Sequence, residues 1–147
     1  MDNLLEGLVK AGLNAIRLGR PESTKPELAA HSLEEMVPKE ADPPSKAAAR
    51  ARLIAAADVV CCTCIGAGSA VLAERKSKKK GKGGGGAAAA SSSTAFPGVL
   101  IDEAAQATEL AAIVPLGLGC QQLVLVGDHH QVMAYSCNPR GQSLLQL

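Results

Sequence analysis

The sequence predicts an α/β domain built on a parallel sheet. Three observations carry that expectation. Short, continuous apolar runs occur at 59–65, 99–101 and 123–126, and runs without polar alternation mark strands covered on both faces. A helical segment separates the last two, giving the strand–helix–strand order of a βαβ unit with short turns. Both of these strands end in acid, Ile101-Asp102-Glu103 and Val126-Gly127-Asp128, at the edge where an open parallel sheet gathers its ligands.

Taken in order, Leu4, Leu5, Leu8, Val9 and Leu13 recur at helical spacing and predict an amphipathic helix over 2–12, with Gly7 as its weak point. Residues 14–18 read as a short strand ended by Gly19-Arg20-Pro21. Pro26, Leu28, Leu33 and Met36 outline a second helix that Pro38 closes. Residues 38–46, with Pro38, Pro43 and Pro44, read as a linker. The Ala- and Arg-rich stretch 47–57 is written for a helix, because Ala has the highest intrinsic propensity. Residues 75–95 pass from a basic cluster (Arg75, Lys76, Lys78, Lys79, Lys80, Lys82) into runs of Gly, Ala and Ser. Such a segment buries too little to offset its ordering entropy and is expected to be a disordered low-complexity insertion. A helix is expected over 104–114, stopped by Pro115, before the strand at 123–126.

Composition sets the outer limits. The 147 residues have room for about one domain. Hydrophobic residues make up 47%, but 26 of the 147 are Ala and the only aromatics are Phe96 and Tyr135, so the core is thin. A net charge of +1 marks neither a strongly basic nucleic-acid binder nor an acidic tail. No apolar run is long enough to span a membrane, and no charged n-region with an apolar h-region opens the chain. Five Cys, three of them within 61–64, do not form a disulfide framework, which favours an intracellular, reducing setting, cytoplasmic or nuclear.

The acid-ended strands carry the chemistry. Asp102 and Asp128 lie 26 residues apart, about one βαβ unit, so both face the crevice outside the strands' carboxyl ends. A carboxylate there suits Mg²⁺, and a second beside it suits deprotonation of an attacking water. The same acids also suit an ordinary helix start, since Asp and Glu favour N-caps and first turns. Spacing alone leaves the two readings level.

Two segments resemble motifs II and III of superfamily 1 helicases: Asp102-Glu103-Ala104-Ala105-Gln106-Ala107 and Leu125-Val126-Gly127-Asp128-His129-His130-Gln131. The branch is that of the nonsense-mediated-decay and immunoglobulin mu-binding-protein helicases. Residues 57–68, including Cys61-Cys62-Thr63-Cys64, resemble that branch's strand with a nucleic-acid-contacting Thr. Residues 1–37 are similar to its segment after motif Ia, and Gly141-Gln142-Ser143-Leu144-Leu145 to the helix after motif III. The resemblance implies a partial RecA-like P-loop NTPase domain over 1–147, its parallel sheet flanked by helices, from an ATP-dependent helicase acting on single-stranded RNA or DNA. Asp102 would bind Mg²⁺ and Glu103 would activate the hydrolytic water. Gln106, Gly127 and Asp128 would bind the nucleotide with Asp102, Gln131 would be catalytic with Glu103, and Gln106, and Gln131 with Asp128, would sense the γ-phosphate and couple it to movement. Thr63 would touch the nucleic-acid backbone.

The departures are equally concrete. No GxxxxGK[ST] occurs among the 147 residues, and the family's Leu-Pro-Pro after motif III is here Val132-Met133-Ala134. The chain therefore looks like the back part of a first motor domain, expected to hydrolyse little ATP by itself. The rival expectation is a catalytically inactive, truncated paralogue that binds partners as a scaffold, through a sheet edge left unpaired. Two weaker signals stand beside these. Cys61, Cys64, Cys120, His129, His130 and Cys137 invite a zinc site, although Cys61 and Cys64 would diverge along a strand. Gly66-Ala67-Gly68 begins a dinucleotide fingerprint that Val71 breaks.

Overall fold

The structure, a computed structural model, describes residues 1–77 and 96–128, which fall into two compact units divided after Gly66. In the first unit, α1 (Asp2–Lys10) buries Leu5 completely, and Leu5 packs with Ala15, Leu28 and Cys61, flanked by Leu8, Val9 and Val59. The helix stops two residues before the expected end. Gly12 takes φ +80°, its N–H bonds Val9 O at 3.0 Å, and Leu13 N–H bonds Leu8 O at 3.1 Å. Those two bonds close a Schellman turn, which favours Gly because it needs a left-handed residue.

The chain then enters β1 (Ala15–Arg17), which pairs in parallel with β2 (Val59–Cys61) in the register Ala15↔Val59, Ile16↔Val60, Arg17↔Cys61. Asn14 and Asp58 lock the entry to the pair. Asp58 Oδ2 accepts Asn14 N–H at 2.9 Å, and Asn14 O accepts Asp58 N–H at 2.9 Å. The strand expected over 59–65 ends at Cys61, where the three-residue partner runs out.

Two helical expectations in this unit are corrected. The helix outlined by Pro26 to Met36 is a tight 3₁₀ turn (Pro26–His31) followed by the one-turn α2 (Leu33–Met36). Ser32 separates them in an extended conformation because its backbone bridges to Arg17, and this tertiary pairing overrides local helix preference. α3 (Pro43–Ala56) starts four residues earlier than the Ala-rich stretch, inside the expected 38–46 linker. Pro43 and Pro44 occupy the first turn, where a missing N–H costs nothing.

The second unit contains α4 (Ala70–Ser77), β3 (Gly98–Ile101), α5 (Glu109–Leu116) and β4 (Gln122–Leu125). α4 carries the helical backbone through residue 77, so residues 75–77 of the expected insertion are helical, and the rest of it lies outside the described residues. β3 and β4 pair in parallel from Gly98↔Gln122 to Ile101↔Leu125. The expectation of strands covered on both faces fails here, since all four β4 residues are exposed. Among the described residues each sheet has two strands, so β4 lacks the flanking layers its sequence is suited to. Pro115 lies in the last turn of α5 rather than after it, and the helix ends one residue later at Leu116. Among the described residues no helix is long and apolar enough to cross a membrane.

Candidate functional site

The carboxyl ends of β3 and β4 are stitched together by two backbone bonds. Val126 N–H bonds Ile101 O at 2.9 Å, and Ala104 N–H bonds Val126 O at 2.8 Å. Between them the chain turns through Asp102 and Glu103 into a short 3₁₀ turn, Ala104–Gln106, whose Gln106 N–H bonds Glu103 O at 2.8 Å. Ala104 is fully buried and Ala105 nearly so, at 3% exposure, and their small side chains let the turn lie flat on the sheet end. The result is an open cavity of about 330 Å³ lined by Asp102, Glu103, Ala105, Gln106, Val126, Gly127 and Asp128.

Five of the residues singled out from sequence therefore share one cavity: Asp102, Glu103, Gln106, Gly127 and Asp128. Ala105 and Val126 complete its wall. Sequence reasoning passed over both, although the Ala-Ala pair after Asp-Glu is the available signal for a close-packed turn.

The local geometry bears on the helix-start reading. Asp102 and Glu103 cap no α-helix. Glu103 precedes only the 3₁₀ turn and makes no side-chain cap bond there. The N-cap of α5 is Thr108, whose Oγ1 accepts Ala111 N–H at 3.3 Å. Asp102 Oδ1 instead accepts Glu103 N–H at 3.0 Å. Glu103 has φ 53° and ψ 41°, the only left-handed non-glycine among the described residues. An L-residue there carries about 1–2 kcal/mol of strain, which functional sites commonly retain.

The donor set is oxygen throughout, from three carboxylates, one amide and backbone carbonyls. That set suits a hard divalent cation such as Mg²⁺, which takes one or two carboxylates and completes its shell with phosphate and water. Among the described residues no three of His, Cys, Asp and Glu come close enough to cage a metal alone.

Thr63 belongs to the first unit. It is exposed just beyond β2, and its Oγ1 accepts Gly66 N–H at 3.0 Å, which leaves the hydroxyl proton available to a further acceptor. The neighbouring thiols are not poised for chemistry. Burial, helped by Cys61 and Cys64 beside it, pushes Cys62 up to about 11, and burial also raises Cys61 and Cys64. All three stay protonated at neutral pH. Gln131, His129, His130 and Cys137 lie outside the described residues.

Residues 43–138 match the family model described as AAA domain, which implies a P-loop NTPase fold. Curated relatives resemble a shorter stretch. A regulator of nonsense transcripts 1 homologue from Neurospora crassa is 57% identical over 37 residues, 25% of this chain and 3% of that protein. The ATP-dependent helicase upf1 of Schizosaccharomyces pombe is 60% identical over 37 residues, 25% of this chain and 4% of its own length. The ATP-dependent helicase NAM7 of Saccharomyces cerevisiae is 49% identical over 39 residues, 26% of this chain and 4% of that protein. The matched stretch is thus a small fraction of each relative.

Proposed function

The chain belongs to the AAA-domain family, its matched relatives are helicases of the nonsense-transcript-regulator branch, and we propose that it carries the metal-and-water end of an ATP-dependent helicase motor. In this reading the chain is part of a first RecA-like domain. Asp102 would hold Mg²⁺, and Glu103 would accept the proton of the attacking water. Gly127 would belong to the ATP site, Gln106 and, with Asp128, Gln131 would sense the γ-phosphate, and hydrolysis would be coupled to movement along a single strand of RNA or DNA that Thr63 would touch. When bound, Mg²⁺ would neutralise phosphate charge. The setting is intracellular, cytoplasmic or nuclear.

One observation carries the proposal: the backbone stitch brings two acid-ended strands to one oxygen-lined cavity while Thr108, not these acids, caps the following helix. Phosphate cradling supplies much of catalysis in this class, and none of the 147 residues forms a GxxxxGK[ST] cradle. These residues alone should therefore hydrolyse ATP far more slowly than a complete motor. The exposed apolar side chains of β4 favour one second reading, a non-catalytic scaffold.

Mn²⁺ as a paramagnetic stand-in for Mg²⁺, added with ATP, separates the two. The motor reading expects selective broadening of backbone amides at 101–106 and 126–128, lost in Asp102→Asn. Uniform broadening, or broadening indifferent to that substitution, refutes the metal site and leaves the scaffold.

A further inference from the structure

A second cleft, about 170 Å³, lies between α2 and the first two turns of α3. Val37 and Pro38 wall it, and its charged lining is Glu34, Lys39, Lys46 and Arg50, three cations against one carboxylate. That carboxylate is already engaged. Glu34 grips Arg50 at two points, Nε to Oε1 at 3.2 Å and Nη2 to Oε2 at 2.6 Å. The grip fixes the guanidinium plane and leaves Nη1 with both protons unused. Among the described residues neither Arg50 Nη1 nor Lys46 Nζ has a hydrogen-bond partner. Lys46 and Arg50 stand four residues apart on α3, hence on one face, and both are half-buried. Lys39 reaches Glu35 at 3.0 Å, but with its side chain 76% exposed it is free to swing.

We infer that this cleft binds a phosphate oxyanion, with Arg50 as the oriented fork and Lys46 and Lys39 as the point charges around it. A guanidinium held by one carboxylate presents its outer edge to a second oxyanion without further loss of rotamer freedom. Phosphate, with more charge and more oxygens than a carboxylate, satisfies several cations at once. The phosphate belongs either to a single-stranded nucleic acid or to a free anion, and the inference does not depend on the nucleotide site in the other unit.

The test follows backbone amide shifts during titration of the chain with inorganic phosphate and, separately, with short oligo-U and oligo-dT. Phosphate should shift residues 37–50 with half-saturation on the order of 1 mM. Lys46→Gln should weaken that binding about tenfold, the equivalent of one charge-assisted hydrogen bond. Gln keeps helix propensity near that of Lys, and the spectrum itself reports the fold. Lys10→Gln, which removes an exposed partner of Glu6, should leave phosphate binding unchanged. If the phosphate is that of a strand, Lys46→Gln also lowers the slope of log affinity against log salt by about 0.7. An unchanged slope with weakened phosphate binding assigns the cleft to a free anion. No shift with any probe, or phosphate binding by Lys46→Gln equal to that of the unaltered chain, overturns the inference.

Discussion

Arg17→Met should remove a third or more of the first unit's stability, and the structure supplies the magnitude. Arg17 is 3% exposed, and its guanidinium makes four hydrogen bonds: Nε to Asp2 Oδ1 at 3.1 Å, Nη1 to Arg20 O at 3.3 Å, and Nη2 to Ser23 O and Oγ at 3.2 and 2.9 Å. Gly19, at φ +142°, keeps the pocket open, since a Cβ there would sit 3.2 Å from Nη1. Removing one member of a buried ion pair costs about 3–5 kcal/mol. Water can replace the partner at Arg20 and Ser23, which are exposed. Water reaches Asp2 poorly, because its side chain is 18% exposed, although Asp2 keeps the Lys25 N–H at 3.1 Å. The lower end, about 3 kcal/mol, is therefore expected.

At ~0.05–0.15 kcal/mol per residue, a unit of this size is stable by about 3–10 kcal/mol, so the substitution removes a third of that stability or all of it. Urea unfolding measures the loss, with Arg17→Met, Asp2→Leu and the double variant forming a cycle. The double variant should recover much of the loss, because an apolar pair leaves no buried charge unpaired. A single-variant cost below about 1 kcal/mol, or strict additivity in the cycle, would refute the reasoning. The consequence extends beyond stability. Arg17 pairs with Cys61 across the sheet, and Leu18 N–H bonds Cys61 O at 2.8 Å, so this strand fixes the point where β2 releases the chain toward Thr63.

Thr63→Val should cost about 1 kcal/mol by leaving Gly66 N–H without its acceptor, and should weaken single-strand binding equally for all base sequences; Thr63→Ser should restore both in melting and binding assays. Glu103→Gln should leave melting within ~0.5 kcal/mol and remove ATP turnover from a complete motor carrying it, whereas Glu103→Gly should also remove turnover yet raise stability by about 0.5–1 kcal/mol through relief of the left-handed strain. Cys62 should resist iodoacetamide at pH 7 and react progressively as pH approaches about 11. Because its folded value lies above the unfolded 9.0, the folded chain keeps the proton longer, so this contribution to stability is complete below pH 9.0 and lost as pH rises to about 11. Urea midpoints across that window check the sign.

The strands were legible from sequence because continuous apolar runs of Val, Leu and Ile suit little else; Gly98–Ile101 and Gln122–Leu125 each fall within one residue of their runs. Their lengths were less legible, because strand length depends on the partner. β2 has the composition to continue to Ile65 but stops at Cys61, opposite the end of β1. Helix starts failed for a similar reason. Ser32 breaks a helical pattern to bridge Arg17, and α5 starts at Glu109 rather than at 104, where the preceding turn is bonded to Val126, far away in sequence. At the site, the rule that an open parallel sheet gathers its ligands outside the carboxyl ends of its strands was enough to expect Asp102 and Asp128 at one crevice, and both line the same cavity. The conformation of Glu103 was not readable, because a positive φ at Glu goes against local preference and is imposed from outside.

What imposes it is the stitch between the strand ends. Ala104 N–H reaches Val126 O at 2.8 Å directly after the acid pair, and Glu103, the residue before that bond, is the one that turns left-handed where an extended residue would continue along β3. The strain, the two buried alanines and the Val126 carbonyl thus act as one device, and each explains another. A turn whose only task was to start a helix would need none of them, since Thr108 performs that task six residues after Asp102. The turn leaves Asp102, Glu103 and Asp128, from the ends of two different strands, on the lining of one cavity, and under the proposed function that arrangement would hold a cation and a water relative to the same phosphate. Ala104→Val tests this coupling directly. The added methyls enter a position with no exposure and should cost about 1–3 kcal/mol as overpacking. If the device is one unit, the same change should also abolish selective Mn²⁺ broadening at both 101–106 and 126–128, although no ligand-bearing side chain has been altered. Broadening that survives in a variant still folded would separate the strain from the site.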